Sequence, residues 1–403
     1  MKYDFTSYLD RRGKDAAAYD SVGQTERFGF APDKPKEGFD VIPMWIADMN
    51  FPTVPTIPQA MIERAQHPAY GYYLTPDEYY DAIISWQKDR NKVEKLTADH
   101  IDYLNGVLGG VAAALKVLCG PGDPVLVHRP TYVGFTGTLK TNGYKIVHSD
   151  LKKDENGVWR MDYEDMEKKI QKYHIHAAIF CSPHNPTGRV WEREEIEKAM
   201  EVYRRNQVYI IADEIWSDLI LDGNHHIPTQ SVSEDARQRT IALYAPSKTF
   251  NLAGLVGSYS IIYNDWLRER YLAELGRTHL NAMNVLSMHA LLGAYSQEGR
   301  EWVDELRDVL TENVKYAVSF INDKVPGAEV SMPQGTYMLY IDFSGWCHEH
   351  GKTLQELKKA GWDVGVDWQD GEIFGKANCI RMNLALPLSR VKEAFDRLEK
   401  YVF

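Results

Sequence analysis

The chain has 403 residues, room for about two domains and a substantial buried core. Its composition, 44% hydrophobic and 26% charged, excludes wholesale disorder, and a net charge of −11 argues against a nucleic-acid or anionic-membrane partner while leaving a small anionic ligand open. The four cysteines, Cys119, Cys181, Cys347 and Cys379, include no Cys-x-x-Cys pair, so neither a zinc site nor a disulfide framework is indicated.

Residues 1–40 are polar and carry a loop-like APDKPKEG segment. The opening MKYDFTSYLDRRGKDAAAYDSVG lacks the apolar core of a signal peptide, and no apolar run approaches the ~18 residues that span a bilayer. A reduced, cytoplasmic protein is expected. From about residue 104 a regular alternation begins. A helix is predicted over 107–118, introduced by Asn105-Gly106. Apolar runs read as strands at 124–128, 144–148, 176–181, 208–213, 240–245 and 257–263, and 192–205 has the spacing of an amphipathic helix. Strands alternating with helices predict an α/β domain with a mainly parallel sheet. After about residue 280 the pattern changes. A long amphipathic helix near 299–322, strands at 329–331, 336–343 and 379–384, and helices near 353–360 and 389–401 predict a smaller α+β domain. The expected division is a large domain over 49–285 and a small one built from 1–48 and 286–403.

Open α/β sheets bind ligands beyond the carboxyl ends of their strands. Asp213-Glu214 follows the run at 208–212, and Ser182-Pro183-His184-Asn185-Pro186-Thr187-Gly188 follows 176–181. Lys248 follows 240–245, Arg129-Pro130-Thr131-Tyr132 follows 124–128, and Gly106-Val107-Leu108-Gly109-Gly110 opens the first helix. A lysine can condense with an aldehyde, and a carboxylate can hold a ring nitrogen protonated so that the ring becomes an electron sink. Free N–H groups at a helix start suit a phosphate, an aromatic ring can stack on another, and an amide can donate to a phenolic oxygen. Singly, each residue has a plainer reading. Asp213 could cap a turn, Asn185-Pro186-Thr187-Gly188 could be only a turn, Tyr132 could be core, and Lys248 could be a surface lysine. Together and in this order they suit an aromatic, phosphorylated, carbonyl-bearing cofactor.

The chain resembles the pyridoxal-phosphate-dependent aminotransferases of fold type I, and within them the branch of cystathionine β-lyases and cysteine C–S lyases. The likeness runs through PMWIADM from Pro43, Tyr70-Gly71-Tyr72, SPHNPTGRVW from Ser182, ADEIWSDL from Ala212, APSKTFNLAGL from Ala245 and Arg381-Met382-Asn383. His184 before NPTGR and the wording SKTFNLAG point to the branch. The resemblance implies a large domain with a mainly parallel seven-stranded sheet, pyridoxal 5'-phosphate as cofactor, and a homodimer with its sites at the subunit interface. It implies that Lys248 is the Schiff-base lysine and proton shuttle, that Asp213 pairs with the pyridine nitrogen, and that Asn185 contacts the phenolic oxygen beside substrate. Tyr132 would stack on the ring; Val107, Leu108 and Ser247 would hold phosphate; Arg381 would grip the substrate carboxylate; Tyr72 would reach a neighbouring subunit's site.

The sequence departs from the family pattern in places. Trp216 stands where tyrosine or histidine is common, and its indole N–H could still reach the phenolic oxygen. Val256 and Ala245 stand where many aminotransferases place a phosphate-binding arginine and a serine, and Asn50 replaces an expected aspartate. The expected activity is β-elimination of a thiol from cystathionine or a cysteine conjugate, giving pyruvate and ammonia. An aminotransferase needs the same Lys248, Asp213 and Arg381, and a cofactor-binding regulator with vestigial catalysis is a third reading. His348-Glu349-His350 has the wrong spacing for two metal ligands on one helix face, His225-His226 reads as loop, and Cys181 as a packing residue.

Overall fold

The computed structural model describes residues 1–403. The chain forms two compact units: 53–185 with 189–304, and 1–52 with 186–188 and 305–403. The division therefore falls at 304/305 rather than 285/286. The cause is helical packing. The helix Val285–Ala294 lies against the helix Thr56–Gln66, close enough that a side chain on Gly293 would run into Ile57 Cα at 2.8 Å.

In the larger unit the helices Thr56–Gln66 (α1) and Asp77–Asn91 (α2) precede strand β1, Ile101–Asn105. Then come α3 (Val107–Leu118), β2 (Pro124–Arg129), α4 (Val133–Thr141), β3 (Lys145–Asp150), α5 (Tyr163–Tyr173), β4 (Ala177–Cys181) and α6 (Arg193–Arg205). Strands β5 (Tyr209–Asp213), β6 (Thr240–Tyr244) and β7 (Gly257–Ile261) follow, with helix α7 at Asp265–Thr278 and α8 at Val285–Ala294. The seven strands form one sheet in the order β1-β7-β6-β5-β4-β2-β3. All neighbours are parallel except β7, which runs antiparallel to both β1 and β6. Strands β4 and β6 are buried along their whole length, as expected for unbroken apolar runs covered on both faces. Strand β1 escaped the sequence pattern because Asp102 interrupts it; burial pushes that carboxyl up to about 6.

Helix α3 packs tightly on the sheet. A methyl group on Gly110 would meet Leu104 Cδ1 at 2.8 Å and the Tyr271 hydroxyl at 2.9 Å, so only glycine permits this approach. Leu104, Val111, Leu115, Ile211 and Leu243 join one continuous core beneath it.

The smaller unit carries a four-stranded antiparallel sheet. Its strands are β8 (Glu329–Val330), β9 (Met338–Asp342), β10 (Gln369–Asp370) and β11 (Cys379–Asn383), in the order β8-β9-β11-β10. Helices Ser344–His350, Leu354–Asp363 and Leu388–Tyr401 pack with it, and the 28-residue helix Gln297–Lys324 leads the chain into it. Gly188 is held here at φ +68°, its carbonyl accepting from Gln334 N at 2.8 Å and Gly335 N at 3.0 Å. An added Cβ would collide with Pro333 and sit 2.9 Å from Gly335 O. Gly188→Ala is therefore expected to destabilise the fold by roughly 2–4 kcal/mol, from left-handed backbone strain plus overpacking. Urea denaturation midpoints check it; a loss under ~0.5 kcal/mol would show that the turn relaxes freely.

Candidate active site

Four sheet strands that are neighbours in space, β2, β4, β5 and β6, deliver the candidate residues from their carboxyl ends. Asp213 is the last residue of β5, paired with Cys181 on one side and Leu243 on the other. It is buried, and its Oδ1 accepts from Ile215 N at 3.1 Å. Burial pushes its carboxyl from an ordinary 3.8 up to about 7; the Ile215 N–H and the Lys248 charge pull the other way, and Glu214 adds to the rise. A carboxylate placed this way favours a cationic partner more than solvent-like surroundings would.

Lys248 lies four residues beyond β6, half-buried beside Ser247. Its ammonium sits 5.9 Å from the ring centre of buried Trp216, within cation–π range. The lysine's neighbour, Thr249, donates to Asp218 Oδ2 at 2.9 Å, and Asp218 Oδ1 accepts from Trp86 Nε1 at 2.9 Å. This buried link between the two signature segments was not singled out from sequence, because its partners lie 31 and 132 residues apart. The same is true of Glu214. Its carboxylate accepts from Thr229 N at 2.8 Å and the Tyr244 hydroxyl at 2.6 Å, and pairs with His226 Nε2 at 2.8 Å. His226 is thus more than a loop residue.

The 182–188 loop is buried throughout. Ser182 N donates to Asp213 O at 3.0 Å, which ties the loop bearing Asn185 to the end of β5. Arg189 staples its far side: it donates to Trp159 O at 3.1 Å, to Glu192 at 3.0 Å and to buried Glu195. His184 and His128 are neutral in this interior; burial pushes them down to about 3 and about 4.

Tyr132 precedes α4, and its ring packs edge-on against Phe135 with centres 5.3 Å apart. A Cβ on Gly134 would touch both the Tyr132 ring (Cζ, 2.8 Å) and Leu108 Cδ1 (2.9 Å), so Tyr132 stands against the start of α3. There Gly106, at φ +81°, admits the chain into the helix with no side-chain cap, leaving the first N–H groups, at Val107 and Leu108, open to an anion. Val256 also comes to this corner: a Cβ on Gly106 would lie 3.6 Å from its Cγ1. At φ +61° Val256 holds a conformation that a β-branched residue adopts only under strain.

A lysine amine, a cation-seeking carboxylate, an aromatic face and an uncapped helix start therefore gather in one unit. The set fits a flat cationic heteroaromatic ring bearing a phosphate. Arg381 belongs to the smaller unit. It is buried on β11, where Nη2 donates to Gln369 Oε1 at 2.5 Å and to Trp45 O at 3.2 Å, and the guanidinium lies 4.6 Å from the Phe374 ring centre. Gln369 and Phe374 carried no sequence signal. Tyr72 is fully exposed, in an open hollow shared with Tyr70 and Met283.

The profile of the family described as aminotransferase class I and II matches residues 40–398. The chain belongs to that family. Among class I and II relatives it is 31% identical to cystathionine beta-lyase PatB of Bacillus subtilis, over 98% of this chain and 99% of the relative. It is 30% identical to protein MalY of Escherichia coli, over 97% and 96%. Cystalysin of Treponema denticola, whose crystal structure contains pyridoxal 5'-phosphate, superposes with a TM-score of 0.90 at 28% identity, covering 99% of this chain and 98% of that one. No helix of this class I and II family member is long and apolar enough to cross a membrane.

Proposed function

We propose that this chain is a pyridoxal-phosphate-dependent carbon–sulfur lyase that eliminates a thiol from cystathionine or a related cysteine conjugate, leaving pyruvate and ammonia. The buried Asp213 beside Lys248 carries the reading. The likeness to PatB and cystalysin gives it direction. When bound, pyridoxal phosphate supplies an aldehyde and a protonated ring that takes up the electron pair left on the substrate's α-carbon. Asp213 holds the proton on the ring nitrogen. The N–H groups of Val107 and Leu108 and the Ser247 hydroxyl hold phosphate. Tyr132 covers one ring face, Asn185 donates to the phenolic oxygen, and Trp216 walls the lysine side. Lys248 removes the α-proton and hands a proton to the departing sulfur.

Arg381 fixes the substrate carboxylate. Its guanidinium plane is set by Gln369 and Trp45, so the fork is preorganised for a planar anion. Arg381→Lys is expected to raise KM for cystathionine roughly 10–100-fold with a smaller change in kcat, since a point charge cannot reproduce the paired hydrogen bonds. Steady-state kinetics decide it; an unchanged KM removes Arg381 from the site. A homodimer in the cytoplasm completes the proposal, with Tyr72 of one copy serving the site of the other. The exposed Tyr70, Tyr72 and Leu74 support that reading, as an apolar surface a second copy would cover.

An aminotransferase is the second reading, favoured by the family match and by 26% identity to an aspartate aminotransferase of Bacillus sp. over 92% of this chain. The two separate on acceptor dependence. A lyase releases pyruvate from L-cystathionine with no keto acid present. Turnover that begins only when a 2-keto acid is added makes the chain an aminotransferase.

A further inference from the structure

The larger unit contains a second cavity, of about 360 Å³, away from the residues assigned above. That volume lies at the small end of ordinary ligand pockets, roughly 300–1,000 Å³. Its wall includes Lys92 at the end of α2, Arg193 at the start of α6, Arg237, His225 and His226. The one acid among its lining residues is Glu94. Three permanent cations facing one carboxylate is the reverse of the chain's overall charge of −11.

The cations are paired only with exposed acids or a backbone carbonyl, and Arg237 also stacks on Tyr263. Arg237 donates to Glu234 at 2.7 Å, Arg193 stands 3.7 Å from Glu197, and the Lys92 ammonium donates to Asp89 O at 2.7 Å. Both acids are exposed, so these pairs contribute little and yield readily to a competing anion.

A buried histidine joins the cavity wall to Glu214. The His226 side chain is 2% exposed, and its Nε2 is committed to Glu214 at 2.8 Å. Glu214 itself is already satisfied by Thr229, Tyr244 and His226.

We propose that this cavity is a binding site for a small multivalent oxyanion, a phosphate- or carboxylate-bearing metabolite, held by Lys92, Arg193 and Arg237. Occupancy is felt at the catalytic strand, because His226 leads to Glu214 and Glu214 adjoins Asp213. Such a site gives the enzyme an input separate from its substrate pocket.

The test is calorimetric titration of the cofactor-loaded protein, desalted of free cofactor, with pyrophosphate, inorganic phosphate and citrate at constant ionic strength. One saturable site per chain is expected; pyrophosphate binding more tightly assigns a phosphate ligand, and citrate a carboxylate. The double substitution Arg193→Ala/Arg237→Ala, at the cavity rim, is expected to weaken binding at least tenfold. Arg270→Ala, on a surface arginine stacked on Trp266, is expected to leave binding unchanged. No saturable binding by any probe overturns the proposal. So does a loss in Arg270→Ala equal to that of the rim variant, which would mean general charge screening. Probe binding does not depend on the lyase reading, so the two fail separately.

Discussion

Lys248→Ala is expected to lower kcat/KM for pyruvate release from cystathionine at least about 10⁴-fold. Positioned proton transfer alone is worth roughly 10²–10⁴. Lys248 also supplies the amine that captures the cofactor's aldehyde, so its loss removes a covalent anchor as well as a base. The fold around it should survive. The side chain is only half-buried, and the loop is held independently by Thr249 on Asp218 and by the Leu252 N–H on Ser247 O at 3.0 Å. The variant is therefore expected to keep its denaturation midpoint, to lose pyridoxal phosphate on dialysis against an amine, and to recover some activity with an added small primary amine. A variant retaining more than about 1% of wild-type turnover would remove Lys248 from proton transfer.

Asp213→Asn carries the second large effect, and it has two readouts. An amide cannot hold a ring nitrogen protonated by charge, so kcat is expected to fall roughly 10²–10³-fold, the scale of losing one preorganised electrostatic contact. Stability also changes its response to pH. In the cofactor-free protein the folded carboxyl sits near 7 against 3.8 ordinarily, so between those values the folded state binds more protons than the unfolded one. Stability from this group is full below about pH 4 and is lost as pH rises from there through 7, about 4 kcal/mol in all. The cofactor-free wild type should therefore lose stability relative to Asp213→Asn between pH 5 and pH 8, and pyridoxal phosphate should remove that slope by supplying a cation. Urea midpoints at the two pH values measure the difference. Parallel pH responses in wild type and variant would mean that Asp213 is ionised in the folded protein throughout.

Much of the sheet was legible because its strands are unbroken apolar runs. Residues 176–181 and 240–245 were read nearly to their ends. Asp213 and Lys248 stood out because chemistry-bearing side chains follow such runs directly. Strand β1 was not legible, since Asp102 and Asn105 break its pattern and its place depends on pairing with β7. The supports of the site were hidden for a related reason. Asp218 matters through Trp86 and Thr249, and Gln369 matters through Arg381, its cross-strand partner once the register is known. Such pairings are properties of topology, which no local window of sequence displays. The division at 304/305 came from the packing of α8 on α1, again a contact between distant segments.

The sheet order has a consequence for how such a chain can vary. Strands β2, β4, β5 and β6 lie side by side at the ladder spacing of about 4.8 Å, so Asp213 and the loops bearing Tyr132, Asn185 and Lys248 emerge at intervals ruled by backbone hydrogen bonds. Side chains on those loops can drift without moving the ruler, whereas deleting one residue within β5 would turn every side chain beyond the gap to the opposite face. Divergence in what the enzyme accepts is therefore cheap at the loop tips and nearly forbidden in strand length, and libraries built to alter its selectivity should be confined accordingly.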